Sequence, residues 1–371
     1  LWISLFLFLA LSWTTFVLLI HGAQDSQMFL RSLRVVINFI GAIALVQLYS
    51  ASYGAIYWRA LVAHLSIVII CHSLVMILMY FSPEIRDLVY SFTHPLRIVN
   101  PTFPFISGFR ISGLTYGLSQ TSVLQVWGLF LFPLIAINSK KLARFSILLI
   151  VFLATLGAVS ISGRSGLLLI LIAAPIYVFL STTSVFLRLG VIIFGFLTPI
   201  IFWSILNFFA NQSFWGENTS YTASHIVEVF SLVSTGESET VDVLREMYFL
   251  PKDLSILAIG SGTMDRQTLG IQTDVGYIRT IFSIGMIGTL LTIIPYLVGL
   301  HLSWKAYIFG SIKGRAGPRL LGIASALIFL SALALNGKEV ALLTRNQWSV
   351  QAILLILLVT MPWKAELKRH Q

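Results

Sequence analysis

The stretch FSILLIVFLATLGAVSISGRSGLLLILIAAPIYVFLSTTS, residues 145–184, holds one charged residue, Arg164, at its middle. On each side of the turn Ser160-Ile161-Ser162-Gly163-Arg164-Ser165-Gly166 runs an apolar segment long enough to cross about 30 Å of hydrocarbon. Two spans joined by a tight small-residue turn fix the class of fold, and the rest of the chain repeats the theme. Further spans are expected at 1–20, 35–53, 60–81, 119–137, 189–210, 275–300, 319–336 and 347–363, beside 145–162 and 166–184. With 57% hydrophobic and 10% charged residues in 371, and a mean hydropathy of +0.90, a soluble globule is excluded. The expectation is an all-α polytopic membrane protein of ten spans, one transmembrane domain over 1–371.

Basic residues in short connections set the orientation. Lys140, Lys141 and Arg144 mark one inner turn, Lys305, Lys313, Arg315 and Arg319 another, and Lys364, Lys368 and Arg369 the tail; Arg59 and Arg188 join them. The outer face then receives thirteen of the fourteen Asp and Glu, and also twelve of the 24 Lys and Arg. Ten of those twelve are arginine: Arg31, Arg34, Arg86, Arg97, Arg110, Arg164, Arg245, Arg266, Arg279 and Arg345, accompanied by Lys252 and Lys338. Topology does not call for an Arg-rich outer face, whereas a polyanionic ligand does. Guanidinium binds phosphate bidentately and stays charged, so the bias favours a diphosphate over diffuse surface attraction.

Two outer loops stand apart. Residues 82–118, with four prolines and interspersed aromatics, read as a smaller loop on the membrane surface. Residues 211–274, between spans seven and eight, form the large loop, with a helical stretch expected from Ser224 to Leu250 and a turn at Gly260-Ser261-Gly262. Leu1 to Ile20 lacks a basic n-region and a small-residue cleavage site and is read as a span, with further residues expected upstream of it. The one cysteine, Cys71, lies in the third span, so an intrachain disulfide or cysteine metal site is not available. No nucleotide loop, H-E-x-x-H helix or Cys/His cluster is present, and neither metal nor cofactor is expected. Glu237-Ser238-Glu239 reads as solvated surface, and His64 and His72 as side chains satisfied within helix packing.

Candidate functional residues sit where arginines meet motifs. Arg164 has two readings: an interfacial arginine with its stem in lipid, or a phosphate ligand among hydroxyls and approachable amides. Asp274, in Gln272-Thr273-Asp274-Val275-Gly276-Tyr277-Ile278-Arg279, is either the helix N-cap or a general base at the mouth of the bundle. Five residues advance about 140° round a helix, so Asp274 and Arg279 would flank a ligand rather than pair. Gly285 and Gly288 read as close helix packing. Arg110, Arg266, Arg345 and Lys338 lie on other outer connections and are supporting diphosphate ligands. Arg31, Arg34, Arg86, Arg97 and Arg245 read as ordinary interfacial charges.

Arg110-Ile111-Ser112-Gly113-Leu114, Ser162-Gly163-Arg164-Ser165-Gly166, Gly260-Ser261-Gly262, Thr273 to Arg279, and Gly285-Met286-Ile287-Gly288, taken in order over roughly residues 80–350, resemble the Wzy-type O-antigen and exopolysaccharide polymerases, relatives of the O-antigen ligases. The resemblance implies a GT-C-type, metal-independent glycosyltransferase of the bacterial inner membrane with its site facing the periplasm. It implies transfer of a glycan from undecaprenyl diphosphate to a second lipid-linked repeat unit, the leaving group held by arginines. Donor and acceptor lipids, the surrounding membrane and a chain-length regulator protein are the implied partners, and nucleic acid is not among them. The related ligases place a histidine where this chain has Asp274. That departure weakens the ligase alternative and leaves the base open. A flippase or transporter is the alternative of another class; it calls for repeats, broken helices and mid-span ionisable groups, whereas Gln47, His64, His72, Gln125 and Asn207 are scattered and mostly uncharged.

Overall fold

The structure, a computed structural model, describes residues 2–22, 25–93, 111–115, 117–136, 141–182, 239–264, 273–342 and 344–361. Among them the regular structure is helical, with no strand. In chain order the helices are α1 (Trp2–Ile20), α2 (Gln27–Tyr53), α3 (Tyr57–Phe81), α4 (Pro83–Thr93), α5 (Leu118–Leu131), α6 (Pro133–Ala136), α7 (Lys141–Ser162) and α8 (Arg164–Ser181). Then come α9 (Glu239–Glu246), α10 (Leu254–Ala258), α11 (Gly276–Ile312), α12 (Ala316–Asn336) and α13 (Arg345–Thr360). Helices fill every expected span except 189–210, which lies outside the described residues. Six stretches are long and apolar enough to cross a membrane: Trp2–Ile20, Gln27–Phe81, Leu118–Ile135, Arg164–Ser181, Gly276–Ile312 and Ala316–Asn336. The chain is therefore a membrane-embedded helical protein.

Four elements depart from the hydropathy reading. Helix α2 begins at Gln27 instead of 35, because Asp25 Oδ1 accepts the Gln27 amide at 2.8 Å and starts the helix ahead of the apolar run. Arg31 and Arg34 thereby become helical. Helix α4 starts inside the smaller outer loop: Pro83 takes the first helical position, where a missing N–H loses nothing, and Ser82 Oγ accepts the Ile85 amide at 3.3 Å. Within the expected stretch Ser224–Leu250, residues 224–238 lie outside the described ones, and the helix α9 stops at Glu246. Helix α11 extends to Ile312 and is interrupted at Gly285, whose φ of 68° and ψ of 179° are not helical.

The chain forms two compact units, Leu1–Ala60 with Glu239–Gln371, and Leu61–Ser238. In the first, α12 lies against α11, α13 against α2, and α1 against both α11 and α2. Small residues make the α11 and α12 contact possible, since association in lipid depends on close packing and not on a hydrophobic drive. A Cβ on Gly322 would stand 2.6 Å from Ser303 O, and one on Gly310 2.3 Å from Arg319 N. Helix α13 is the buried centre: Trp348, Leu354, Leu355, Leu357 and Leu358 are fully enclosed. Trp348 Nε1 donates to Val35 O at 3.0 Å, and its ring meets Tyr296 at 5.5 Å. On α1, by contrast, Trp2, Phe8 and Leu19 are exposed, as befits a helix facing lipid.

In the second unit α5 is central and packs on α7 and α8. Val126, Trp127, Phe130 and Leu131 are buried, and Phe130 stacks on Tyr177 of α8 with ring centroids 5.6 Å apart. Helix α3 meets α5 at Gly128, where a Cβ would lie 2.7 Å from Ile69 Cγ2 and where Ser66 Oγ donates to Gly128 O at 3.1 Å.

Candidate functional site

The first unit's site grows from the interruption in α11. A helix that stops hydrogen bonding frees carbonyls, and in a membrane those carbonyls need partners. The Gly260-Ser261-Gly262 turn supplies them: Ser261 N donates to Phe282 O at 2.7 Å, Gly262 N donates to Ser283 O at 3.0 Å, and Ser261 Oγ adds a 2.8 Å bond to Phe282 O. Trp13 Nε1 donates to Ile284 O at 2.8 Å. The approach is so close that only glycine fits, because a Cβ on Gly260 would sit 2.4 Å from Ser283 O and one on Gly285 2.1 Å from Ala258 O. Gly285 is thus a break, which corrects its reading as packing; Gly288 does pack, against Trp13. The His21 ring N–H donates to Gly260 O at 3.0 Å and ties the end of α1 to the same turn.

Just beyond that turn, Met264 is gripped from both sides. Its amide donates to Asp25 Oδ2 at 2.7 Å, and its carbonyl accepts from Arg279 Nη2 at 3.0 Å. Thr263 Oγ1 also donates to Asp25 Oδ2, at 3.0 Å. Asp25 stands six residues before Arg31 on the chain, and Arg31 and Arg34 occupy one face of α2 at i,i+3 spacing. The charges acting on half-buried Arg31 are those of Arg279, Arg34 and Asp25. Three guanidinium groups from two helices therefore share a neighbourhood with one carboxylate. Arg31 is half-buried and Arg34 exposed, both in the first turns of α2.

Asp274 lies at the N-terminal end of the interrupted helix, and it is not the cap. The cap position is Val275, whose amide donates at 3.1 Å to the hydroxyl of Thr273; that hydroxyl donates in turn to Met247 O at 3.1 Å. The Asp274 amide points to Met247 Sδ at 3.5 Å. Tyr248 closes the same corner by donating its hydroxyl to Gly337 O, and burial pushes its phenol above the ordinary range, so it stays a donor. Tyr277 donates to Leu333 O at 2.8 Å. Half-buried Lys338 follows Gly337 directly, and Arg345 is the first residue of α13. Gly276 packs against Asn336, whose Oδ1 accepts the amides of Ala341 and Leu342 at 2.9 and 3.1 Å and so shapes the connection to α13.

Arg164 belongs to the second unit, where it is half-buried and is the first residue of α8. Gly163 alone separates α7 from α8, and the corner lies on the start of α5: Ser122 Oγ accepts the Gly166 amide at 3.0 Å, and a Cβ on Gly166 would meet Ser122 O at 2.7 Å. Close by in the chain fold, His72 Nε2 accepts the Leu114 amide at 2.9 Å. The imidazole proton therefore sits on Nδ1, and the Gln125 amide, 2.8 Å away, must present its oxygen there and its NH2 to Ser73 Oγ at 2.6 Å. His72 is a packing histidine, as read from sequence. It fastens residues 112–114 to α3 and α5. Arg110 and Arg266 lie outside the described residues.

Among the described residues no three His, Cys, Asp or Glu side chains gather as metal ligands. The first unit sets Arg279 and Asp274 on the helix interrupted at Gly285, and the class that the fold defines is a membrane-embedded helical protein. No family model, curated protein or solved structure matches the chain.

Proposed function

We propose that this chain is a glycosyltransferase that polymerises undecaprenyl-diphosphate-linked repeat units at the periplasmic face of the bacterial inner membrane, with a GT-C-type architecture. The observation that carries the reading is the first unit's pairing of roles. Arg279 is fixed by Met264 O beside further guanidinium groups, and Asp274 stands at the entrance of the same helix, one residue ahead of its cap position Val275. An acceptor sugar hydroxyl attacks the anomeric carbon of the donor. The new glycosidic bond forms as the bond to the diphosphate oxygen breaks, the hydroxyl proton passes to Asp274, and the electron pair leaves with the diphosphate. Preplaced guanidinium groups stabilise that charge without reorganising. Arg164, Arg110, Arg266, Arg345 and Lys338 are assigned to holding donor or acceptor diphosphate.

Purified protein incubated with synthetic lipid-linked repeat units tests this. Chain growth, abolished by Arg279→Ala or Arg164→Ala and poorly restored by lysine at either position, is the expected result. Transfer to lipid A core would instead identify an O-antigen ligase. Absence of any product would sink both.

A flippase reading gains one observation, the interruption at Gly285, since transporters use broken helices. Transporter breaks expose carbonyls to a cation or substrate. Here Phe282, Ser283 and Ile284 give theirs to Ser261, Gly262 and Trp13, which favours a structural break and the transferase.

A further inference from the structure

We infer that α4 is an in-plane membrane helix: it beds Ile85, Leu88 and Phe92 in the acyl chains of the leaflet at the Arg164 end of the second unit, and through Tyr90 it holds residues 111–115 at that level. The turn before it sets this up. Pro83 has no N–H to give and its ring crowds the carbonyl four residues back, so α3 ends at Phe81 and the chain changes direction at Ser82. Continued straight, the helix would carry Tyr90 about 21 Å beyond Met76 at 1.5 Å per residue. Tyr90 instead shares a buried cluster with Met76 and Met79 of α3, with Ile111, and with Ala158 and Ile161 of α7. Its hydroxyl accepts the Ser112 amide at 3.2 Å, and the next residue, Gly113, lies so close to α3 that a Cβ on it would stand 2.7 Å from Met76 Cγ. Helix α4 therefore folds back across the end of the unit, beside the corner from which Arg164 starts α8.

Three kinds of side chain divide the surface of α4. Val89 and Tyr90 turn to the unit, Glu84, Asp87 and Ser91 are exposed and polar, and Ile85, Leu88 and Phe92 are exposed and apolar, Leu88 by 59% and Phe92 by 79%. At about 100° per residue these rows point roughly 110–140° apart, as protein, water and lipid lie round a helix in the interface. The apolar row is not an isolated patch. It continues the exposed stripe Leu74, Leu78 and Phe81 of α3, at spacings of four and three residues, and α3 belongs to a stretch long and apolar enough to cross a membrane. Lipid that covers the stripe before Pro83 thus meets the row after it. A second copy of the chain fits less well, since three side chains at about 150 Å² each offer roughly half of the ~800 Å² per partner of a standard interface. Seating α4 in lipid also seats what it holds. The amides of Ile111, Ser112 and Leu114 go in turn to Ile161 O of α7, the Tyr90 hydroxyl of α4 and His72 Nε2 of α3. The inference rests on membrane embedding and not on the transferase proposed above.

The test uses the full chain, with its one cysteine, Cys71, replaced by serine, in nanodiscs of phosphatidylethanolamine and phosphatidylglycerol. Nitroxide labels on Leu88→Cys, Phe92→Cys, Asp87→Cys and Ser91→Cys are read by their accessibility to oxygen, which concentrates among acyl chains, and to a water-soluble nickel chelate. The ratio of oxygen to nickel access should be at least about threefold higher at 88 and 92 than at 87 and 91, as for a helix face sunk about 5–10 Å into the interface. Equal ratios at all four positions would put the apolar row in water and overturn the inference. Exclusion of both reagents at 88 and 92 would mark a protein cover, a second copy or another chain, and overturn it as well. Tyr90→Phe removes the acceptor of the Ser112 amide and should speed amide hydrogen exchange in residues 111–115 on the order of fivefold, as loss of one hydrogen bond does. It should leave the label ratio at 88 where it was. Unchanged exchange in the folded variant would overturn the hold of α4 on that segment.

Discussion

Replacing Gly285 with alanine tests whether α11 is truly broken. The residue holds φ 68° and ψ 179°, a region that essentially only glycine occupies, at about 1–3 kcal/mol of strain for any other residue. The added Cβ would also stand 2.1 Å from Ala258 O and 2.4 Å from Ala258 C, contacts with backbone that no rotamer change relieves. Overpacking of this kind costs about 1–3 kcal/mol more. The sum is about 2–6 kcal/mol, or a fall of roughly 4–24 °C in Tm at about 2–4 °C per kcal/mol. Gly260→Ala faces the other side of the same contact, with its Cβ 2.4 Å from Ser283 O and 2.6 Å from Gly285 N. It should cost as much.

Since either substitution pushes the turn off the helix, the double variant should lose much less than the two losses added, a non-additivity expected of residues in contact. Gly41→Ala is the control. It lies in α2 with nothing within 4 Å of an added Cβ, and its Tm should match wild type or exceed it. Thermal unfolding of the purified protein, followed by tryptophan fluorescence, reads all four. An unchanged Tm for Gly285→Ala, or simple additivity with Gly260→Ala, would refute the interrupted helix and the Gly260-Ser261-Gly262 turn seated on it.

Asp274→Asn, which keeps the side chain's size and most of its hydrogen-bonding atoms, should abolish chain growth while leaving stability within about 0.5 kcal/mol of wild type; a larger loss of stability would return Asp274 to a structural role. Thr273→Val should do the opposite, lowering stability by about 1 kcal/mol through loss of the Val275 partner and sparing the chemistry, which single-turnover transfer would show. Gln125→Leu strips Nδ1 of His72 of its buried partner and leaves the Ser73 hydroxyl only Ile69 O, at 3.4 Å, costing about 1–3 kcal/mol for the orphaned ring nitrogen. A neutral effect on unfolding would show that this network is not formed.

Sequence showed the membrane-crossing helices because lipid demands length and apolarity and little else. Arg164 was equally legible: a charge flanked by glycine and serine between two apolar runs has nowhere to go but the turn, and it starts α8. The Arg31, Arg34 and Arg279 neighbourhood was not legible. An arginine at the edge of an apolar run looks the same whether it faces solvent or another arginine far along the chain. One signal was available, Asp25 just ahead of Gln27, which as an N-terminal acceptor would have moved the start of α2 and put both arginines on the helix. Gly285 was misread because a Gly-x-x-Gly spacing fits helix packing, and Gly288 obeys it. Only the excess length of 276–312, about 55 Å at 1.5 Å per residue, hinted that this helix could not cross straight. His72 and Gln125 could have been paired in advance, since two polar side chains in neighbouring spans need partners and each offers what the other lacks.

The break and the arginines have a common consequence for selectivity. An interrupted helix in a membrane ordinarily offers carbonyl oxygens, which attract cations. Around Gly285 those oxygens are occupied: Phe282 and Ser283 by the amides of Ser261 and Gly262, Ile284 by the indole of Trp13. The turn that occupies them continues into Thr263 and Met264, and these are the residues that hold Asp25 and Arg279. Satisfying the carbonyls and placing the guanidinium groups are therefore one structural act. With those carbonyls occupied, and on the proposed function, the site should not use sodium as a coupling ion. Replacing sodium with choline in the transfer reaction should leave its rate unchanged, and a strict sodium requirement would break the link argued between the broken helix and the proposed transferase.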